Sequence, residues 1–271
     1  MLKILLALMI LVLPLTASAQ SRDLTIDGDH GKLAAVLQTP DGLSKYPLVI
    51  ICHGFTGQKN HPLLNALADD LEAAGIASIR FDFNGHGASD GDFQAMTVPN
   101  EIVDAKCVYE YASRLPNVTN IAVAGHSQGG VVTSMLAGEF GAKKIRCIVL
   151  MAPAAVLRDD ALRGNIFGEH YDAINPPEYV EIHGGLKVGR DYILTAQTLP
   201  IYETAEKFTN PALMIHGTAD IVVPYTYSLS YKKIFRRGEL ELIDGADHSF
   251  VGNERRVAEL ATKFFVRQLK K

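Results

Sequence analysis

The chain has 271 residues, 48% of them hydrophobic and 21% charged, with a formal net charge of −4. That length and balance describe one large folded domain or two small ones and argue against a disordered chain. The mild acidic excess offers no basic footprint, so neither nucleic acid nor an anionic membrane surface is expected as a partner.

Residues 1–19 differ from the rest. Lys3 precedes the apolar run "ILLALMILVL", and Ala17-Ser18-Ala19 follows a proline. A basic start, an apolar stretch of about 10 residues and a small-x-small end form a secretory signal peptide, too short for a good membrane span. Cleavage is expected after Ala19. Gln20 stands where a lipid anchor would need a cysteine. Residues 20–271 should therefore form an exported protein, periplasmic or secreted, that is free of the membrane once the leader is removed.

"RDLTIDG" and "GKLAAVLQTP" follow, short alternating stretches bounded by Asp-Gly, His-Gly and Pro-Asp-Gly turn signals, as in a hairpin. The character then changes. "PLVIICH" (47–53), "IASIRFDF" (76–83), "IAVAG" (121–125), "IRCIVLMA" (145–152), "ALMIHG" (212–217) and "LELIDG" (240–245) are nearly continuous apolar runs, the pattern of parallel strands covered on both faces. Between them lie "PLLNALADDLEAAG", "NEIVDAKCVYEYASRL", "GGVVTSMLAGEF", "YTYSLSYKKIF" and "ERRVAELATKFFVRQL", with apolar residues at helical spacing. The alternation predicts an α/β protein with a mostly parallel central sheet and helices on both faces.

One stretch, about 154–207, delays the next core strand far beyond the usual αβ loop of about 2 to 6 residues. It is expected to be an inserted lid, with "PEYVEI" and "LKVG" paired as a small hairpin across His183-Gly184-Gly185. Cys52 and Cys147 lie in strand-like runs and Cys107 in a helix-like one. Being odd in number, the three cannot all pair within the chain, and they read as small buried hydrophobes.

"AGHSQGGVV" (124–132) carries the chemistry. A Gly-x-Ser-x-Gly match alone has little weight, but this one follows a core strand and opens a helix, the setting in which a tight turn lifts a serine hydroxyl over the sheet. Gly125 and Gly129 remove side chains that would collide there. Serine needs a base held by a carboxylate, and in this arrangement the order is Ser, acid, His, each after a strand. Asp220 in "HGTADIVVP" and His248 in "DGADHSF" occupy those places. Asp244 and Asp247 lie too near His248 for that order and are expected to shape the turn. The N–H groups of Gln128, at the helix start, and of Phe55, in "CHGFTG", suit an oxyanion hole. His53 reads as a turn histidine, and "FDFNGHGASDG" as a brace under the site. No His-Glu-x-x-His helix or phosphate-cradling glycine loop is present, so no metal or cofactor is expected.

With these residues in place the chain resembles the α/β-hydrolase superfamily over its whole mature length. More narrowly it resembles the bacterial cinnamoyl (feruloyl) esterases, through "HGFTGQKN", "RFDFNGHGASDGDF", "GHSQGG", "LPIYE", "HGTADIVVP" and "GADHSF". The resemblance implies an α/β-hydrolase fold and hydrolysis of feruloyl, p-coumaroyl or caffeoyl esters through an acyl-enzyme, with a small-molecule or polysaccharide-linked ester as partner and a homodimer left open. It carries the nucleophile onto Ser127, the acid onto Asp220, the base onto His248 and the oxyanion donors onto Phe55 and Gln128. It also puts substrate-binding positions of the lid on Asp160 and Tyr192, and on Phe167 where some relatives have glutamine. The alternative on the same triad is a general carboxylesterase or acetylesterase.

Overall fold

A computed structural model describes residues 20–270; the leader expected over residues 1–19 lies outside the described residues. β1 (Gln20–Asp27) and β2 (Lys32–Thr39) form the antiparallel hairpin the turn signals predict, with Asp27 opposite Lys32. Strand and helix then alternate through β3 (Tyr46–Cys52), α1 (Pro62–Ala73), β4 (Ala77–Phe81), α2 (Val98–Ser113), β5 (Val118–His126), α3 (Gln128–Lys144) and β6 (Ile145–Met151).

The inserted region carries α4 (Val156–Arg163), the short pair β7 (Asn165–Ile166) and β8 (Glu169–His170), a hairpin of β9 (Tyr179–Ile182) and β10 (Leu186–Gly189), then α5 (Arg190–Thr198) and α6 (Ile201–Ala205). The core resumes with β11 (Ala212–Gly217), α7 (Thr226–Ile234), β12 (Gly238–Ile243) and α8 (Glu254–Leu269). Eight strands make one sheet in the order β1-β2-β4-β3-β5-β6-β11-β12. Within this sheet, among the described residues, only the β1–β2 and β2–β4 pairs are antiparallel. This is the α/β-hydrolase fold.

The continuous apolar runs are explained by burial on both faces. On β3, Leu48, Ile50 and Cys52 face one apolar layer, with Val132, Leu136 and Val108 from α3 and α2. The alternate residues Val49 and Ile51 face the other, with Leu63, Leu67 and Leu71 of α1 and Phe264 and Phe265 of α8. Each layer removes the apolar side chains of one sheet face from water, at roughly 1.5 to 3 kcal/mol per fully buried large side chain. Residues Gln128 to Gly138 of α3 are all buried, because the helix lies against the sheet and is crossed by α6. A Cβ on Gly138 would come 1.9 Å from the Thr204 carbonyl oxygen. The three cysteines are free, and Cys52 and Cys147 are buried.

Some boundaries differ from expectation. α2 starts at Val98 rather than Asn100, because the Thr97 hydroxyl accepts from Asn100 N–H at 3.2 Å and Pro99 suits a first helical turn. β12 spans 238–243 rather than 240–245. It is an edge strand paired only with β11, and Gly245 at φ 70° already belongs to the turn. Neither α4 nor the β7–β8 pair follows from the apolar pattern.

Candidate active site

β5 runs straight into α3, and Ser127 is the one residue between them, at φ 55° and ψ −123°. A non-glycine residue at such a φ is strained and must be held by its surroundings. Its N–H donates to Met151 O at 2.9 Å, and its carbonyl accepts from Ala154 N–H at 3.0 Å and Gly130 N–H at 2.9 Å. The flanking glycines are required by close approach: a Cβ on Gly125 would lie 2.0 Å from Gly129 O, and one on Gly129 2.3 Å from His53 O.

The three residues picked from sequence meet here although they are far apart in the chain. His248, in the loop after β12, places Nε2 2.9 Å from Ser127 Oγ. Its Nδ1 lies 2.7 Å from Oδ2 of Asp220, in the loop after β11. Asp220 Oδ1 accepts from the N–H groups of Val222 and Val223 at 2.9 and 2.8 Å. Burial would raise the Asp220 pKa, but hydrogen bonds from His216 and His248 outweigh it and hold the carboxylate below its ordinary range. Asp244 and Asp247 do shape the turn: Asp244 accepts from the Thr218 hydroxyl at 3.0 Å, and Asp247 from Val251 N–H at 2.9 Å.

Two buried histidines escaped the sequence reading. His216, within β11, puts Nε2 3.0 Å from Asp220 Oδ2 and 2.8 Å from Val223 O, while its Nδ1 lies 2.7 Å from Ser228 Oγ. The carbonyl partner makes Nε2–H the donor, so His216 donates to the same carboxylate oxygen that holds His248. His126, the residue before Ser127, places Nε2 2.9 Å from the His248 carbonyl oxygen and so donates to it. Burial pushes His126 down to about 3, so it stays neutral and keeps that donor role at physiological pH. The available signal was a histidine inside an otherwise apolar strand run, which carries meaning only once its neighbours are known.

His53 is buried and accepts from Phe83 N–H at 3.0 Å, a structural position. The loop after β4 braces the site as its composition implies. Asp82 accepts from Lys59 N–H at 2.6 Å, from Lys59 Nζ at 2.7 Å and from Ala88 N–H at 2.9 Å. The His53–Gly54 turn approaches the elbow so closely that a Cβ on Gly54 would meet Ser127 Cβ at 2.8 Å. Among the described residues, the N–H groups of Phe55 and Gln128 have no protein acceptor.

Ser127 opens into a cavity of about 510 Å³ whose lining includes Phe55, Gln128, Asp160, Phe167, Tyr171 and Tyr192. The five expected pocket residues and Ser127 thus share one wall system, and Tyr171 is an addition. Phe167 stacks on Phe55 with ring centroids 5.2 Å apart and planes 22° from parallel. Burial raises the Asp160 carboxyl, and pushes the Tyr171 phenol up to about 12. Tyr192 is less free than its position suggests, since its hydroxyl donates to Gln128 Oε1 at 2.7 Å. Among the described residues, no group of three or more His, Cys, Asp or Glu is arranged to hold a metal ion.

Comparison with known proteins agrees with this geometry. Residues 44–175 match the Hydrolase_4 family model, described as serine aminopeptidase, S33. The solved structure of Est1E from Butyrivibrio proteoclasticus with ferulic acid bound is 34% identical. It matches over 92% of this chain and 100% of that chain, with a TM-score of 0.88. A second Est1E structure is 31% identical, covers 92% of this chain and 99% of that one, and gives a TM-score of 0.84. An uncharacterized 31.7 kDa protein of the traX-finO intergenic region of Escherichia coli is 34% identical over 119 residues. That match covers 43% of this chain and spans only 41% of the relative's length.

Proposed function

The chain belongs to the serine esterases of the α/β-hydrolase superfamily, and from that premise we propose that it hydrolyses hydroxycinnamate esters through a covalent acyl-enzyme. One observation carries the reading: the Ser127–His248–Asp220 chain opens directly onto a 510 Å³ cavity walled by Phe55, Phe167, Tyr171 and Tyr192. That space suits a planar aromatic acyl group, and the similar Est1E was solved with ferulic acid bound. The insert over 154–207 is the lid of this reading.

In the first step Ser127 Oγ attacks the ester carbonyl while His248 Nε2 takes its proton, and the N–H groups of Phe55 and Gln128 receive the developing oxyanion. The imidazolium then protonates the departing alcohol. Asp220 holds the ring through Nδ1 and stabilises its charge. In the second step His248 activates a water that releases the acid and restores Ser127. The reading includes export by the leader over residues 1–19, to the periplasm or the medium, where the substrates are esters of plant cell-wall phenolics.

A substrate panel tests the proposal. Purified protein should cleave methyl ferulate, methyl p-coumarate or chlorogenic acid with kcat/KM at least tenfold above p-nitrophenyl acetate or butyrate. If the short acyl esters are cleaved faster, the cavity is not a hydroxycinnamoyl pocket and the enzyme is a general carboxylesterase.

A further inference from the structure

Gln128 sits at the elbow, and its side chain points away from Ser127 into a polar chain that the mechanism above does not use. Its Nε2 donates to Glu101 Oε2 on α2 at 2.9 Å, and its Oε1 accepts from the Tyr192 hydroxyl on α5 at 2.7 Å. All three are buried: Glu101 is 1% exposed, Gln128 2% and Tyr192 5%. A glutamate is rarely buried without a cationic partner, because losing its hydration is costly. Here its hydrogen-bond partner is the Gln128 amide, whose nitrogen also lies 3.7 Å from Met96 Sδ. Among the described residues Glu101 Oε1 has no partner. An apolar residue would fill the place at less cost, so the acid calls for an explanation beyond packing.

We propose that Glu101 is a positioning residue for acyl transfer: it fixes the Gln128 side-chain amide, and through it both the aim of the Gln128 N–H at the oxyanion and the tie of the α5 segment to the elbow. The inference rests on the reading of Gln128 as an oxyanion donor. The logic is one of hydrogen-bond polarity. An amide can flip, exchanging its oxygen and nitrogen ends. An acceptor at Glu101 admits only the nitrogen on that side, which leaves the oxygen for the Tyr192 O–H. Removing the acceptor leaves only the weak Met96 Sδ contact to hold the amide nitrogen, so the amide can flip and the Tyr192 hydroxyl then has to accept from the amide nitrogen where it now donates to the oxygen. Burial raises the Glu101 carboxyl well above the ordinary carboxylate range, and the hydrogen bond from Gln128 opposes that rise; what the position supplies to Gln128 is the Oε2 acceptor, a role an amide oxygen can also fill. Glu101 does not touch the reacting atoms.

Removing one oxyanion donor costs about 10² to 10³ in kcat, and a donor misaligned rather than lost should cost less. The test compares Glu101→Leu and Glu101→Gln with the unmodified protein on methyl ferulate and on p-nitrophenyl acetate. Glu101→Leu should lower kcat about 30-fold on both esters with KM within about threefold, and Glu101→Gln should stay within about threefold in both constants. Glu101→Leu within threefold of the unmodified kcat would overturn the proposal, as would Glu101→Gln as slow as Glu101→Leu. If Glu101→Leu does not fold, Glu101→Asp, which withdraws the acceptor by one methylene, should lose at least about tenfold in kcat, and full activity there would overturn it. Because the acetate ester needs only the triad and oxyanion hole, it reports on Glu101 even if the hydroxycinnamate reading fails.

Discussion

Ser127 is held at a φ of 55° by backbone hydrogen bonds to Met151, Ala154, Gly130 and Val131 and by Gly125 and Gly129, which have no side chains. The hydroxyl's direction is therefore set by main-chain packing and not by rotamer choice alone. Gly125→Ala tests this. The added methyl would lie 2.0 Å from Gly129 O and 2.5 Å from Thr133 Oγ1, so strand or helix must shift. A displacement of about 1 Å is enough to cost about 100-fold in kcat. The expected outcome is that loss with a folded protein by circular dichroism; near-normal kcat would show that the elbow has slack. Ser127, Asp220 and His248 were legible because each follows an apolar strand run in a fixed order. Glu101, His126 and His216 were not. Their meaning lies in partners 27, 122 and 4 residues away, and no local pattern distinguishes a buried glutamate on α2 from an exposed one.

At the scale of elements, the core strands could be read because a strand buried on both faces must be largely apolar, as β3 is and as β11 is apart from His216. The inserted region could be bounded but not resolved. The β9–β10 hairpin follows from His183-Gly184-Gly185, whereas α4 ends at Gly164 in a left-handed cap whose Cβ would meet Tyr171 O at 2.2 Å, a contact made by the insert's own fold. Phe167 at φ 49° closes the tight turn between β7 and β8 and stacks on Phe55. A stacked aromatic pair contributes about 0.5 to 1.5 kcal/mol beyond its area. Phe167→Ala should thus lower kcat/KM for methyl ferulate about three- to tenfold while leaving p-nitrophenyl acetate within twofold. Equal losses on both esters would place Phe167 outside acyl recognition.

For the whole molecule, buried titratable groups set the response to acid. Burial holds His53 and His126 near about 3, so both stay neutral in the native state where the unfolded chain binds protons below about 6.5. Burial lifts Asp104 to about 6, so unfolding between pH 4 and 6 releases a proton there. Asp220, held low, stays ionised in the native state across this window and gives up its contribution only at lower pH. Burial also lowers His61 and His86 and raises Glu101 and Asp160, so four histidines gain protons on unfolding against three carboxyls that release them, and stability should fall as pH drops from 6 to 5. Calorimetry should find a lower Tm at pH 5 than at pH 6.5; an equal or higher Tm would refute this balance. The central claim, that Ser127 performs acyl transfer on hydroxycinnamate esters, is tested most directly by ferulate release from methyl ferulate by the unmodified protein and Ser127→Ala side by side. The account predicts turnover that falls on the order of 10⁶-fold in the variant, whereas no turnover by either protein, or equal turnover by both, would contradict it.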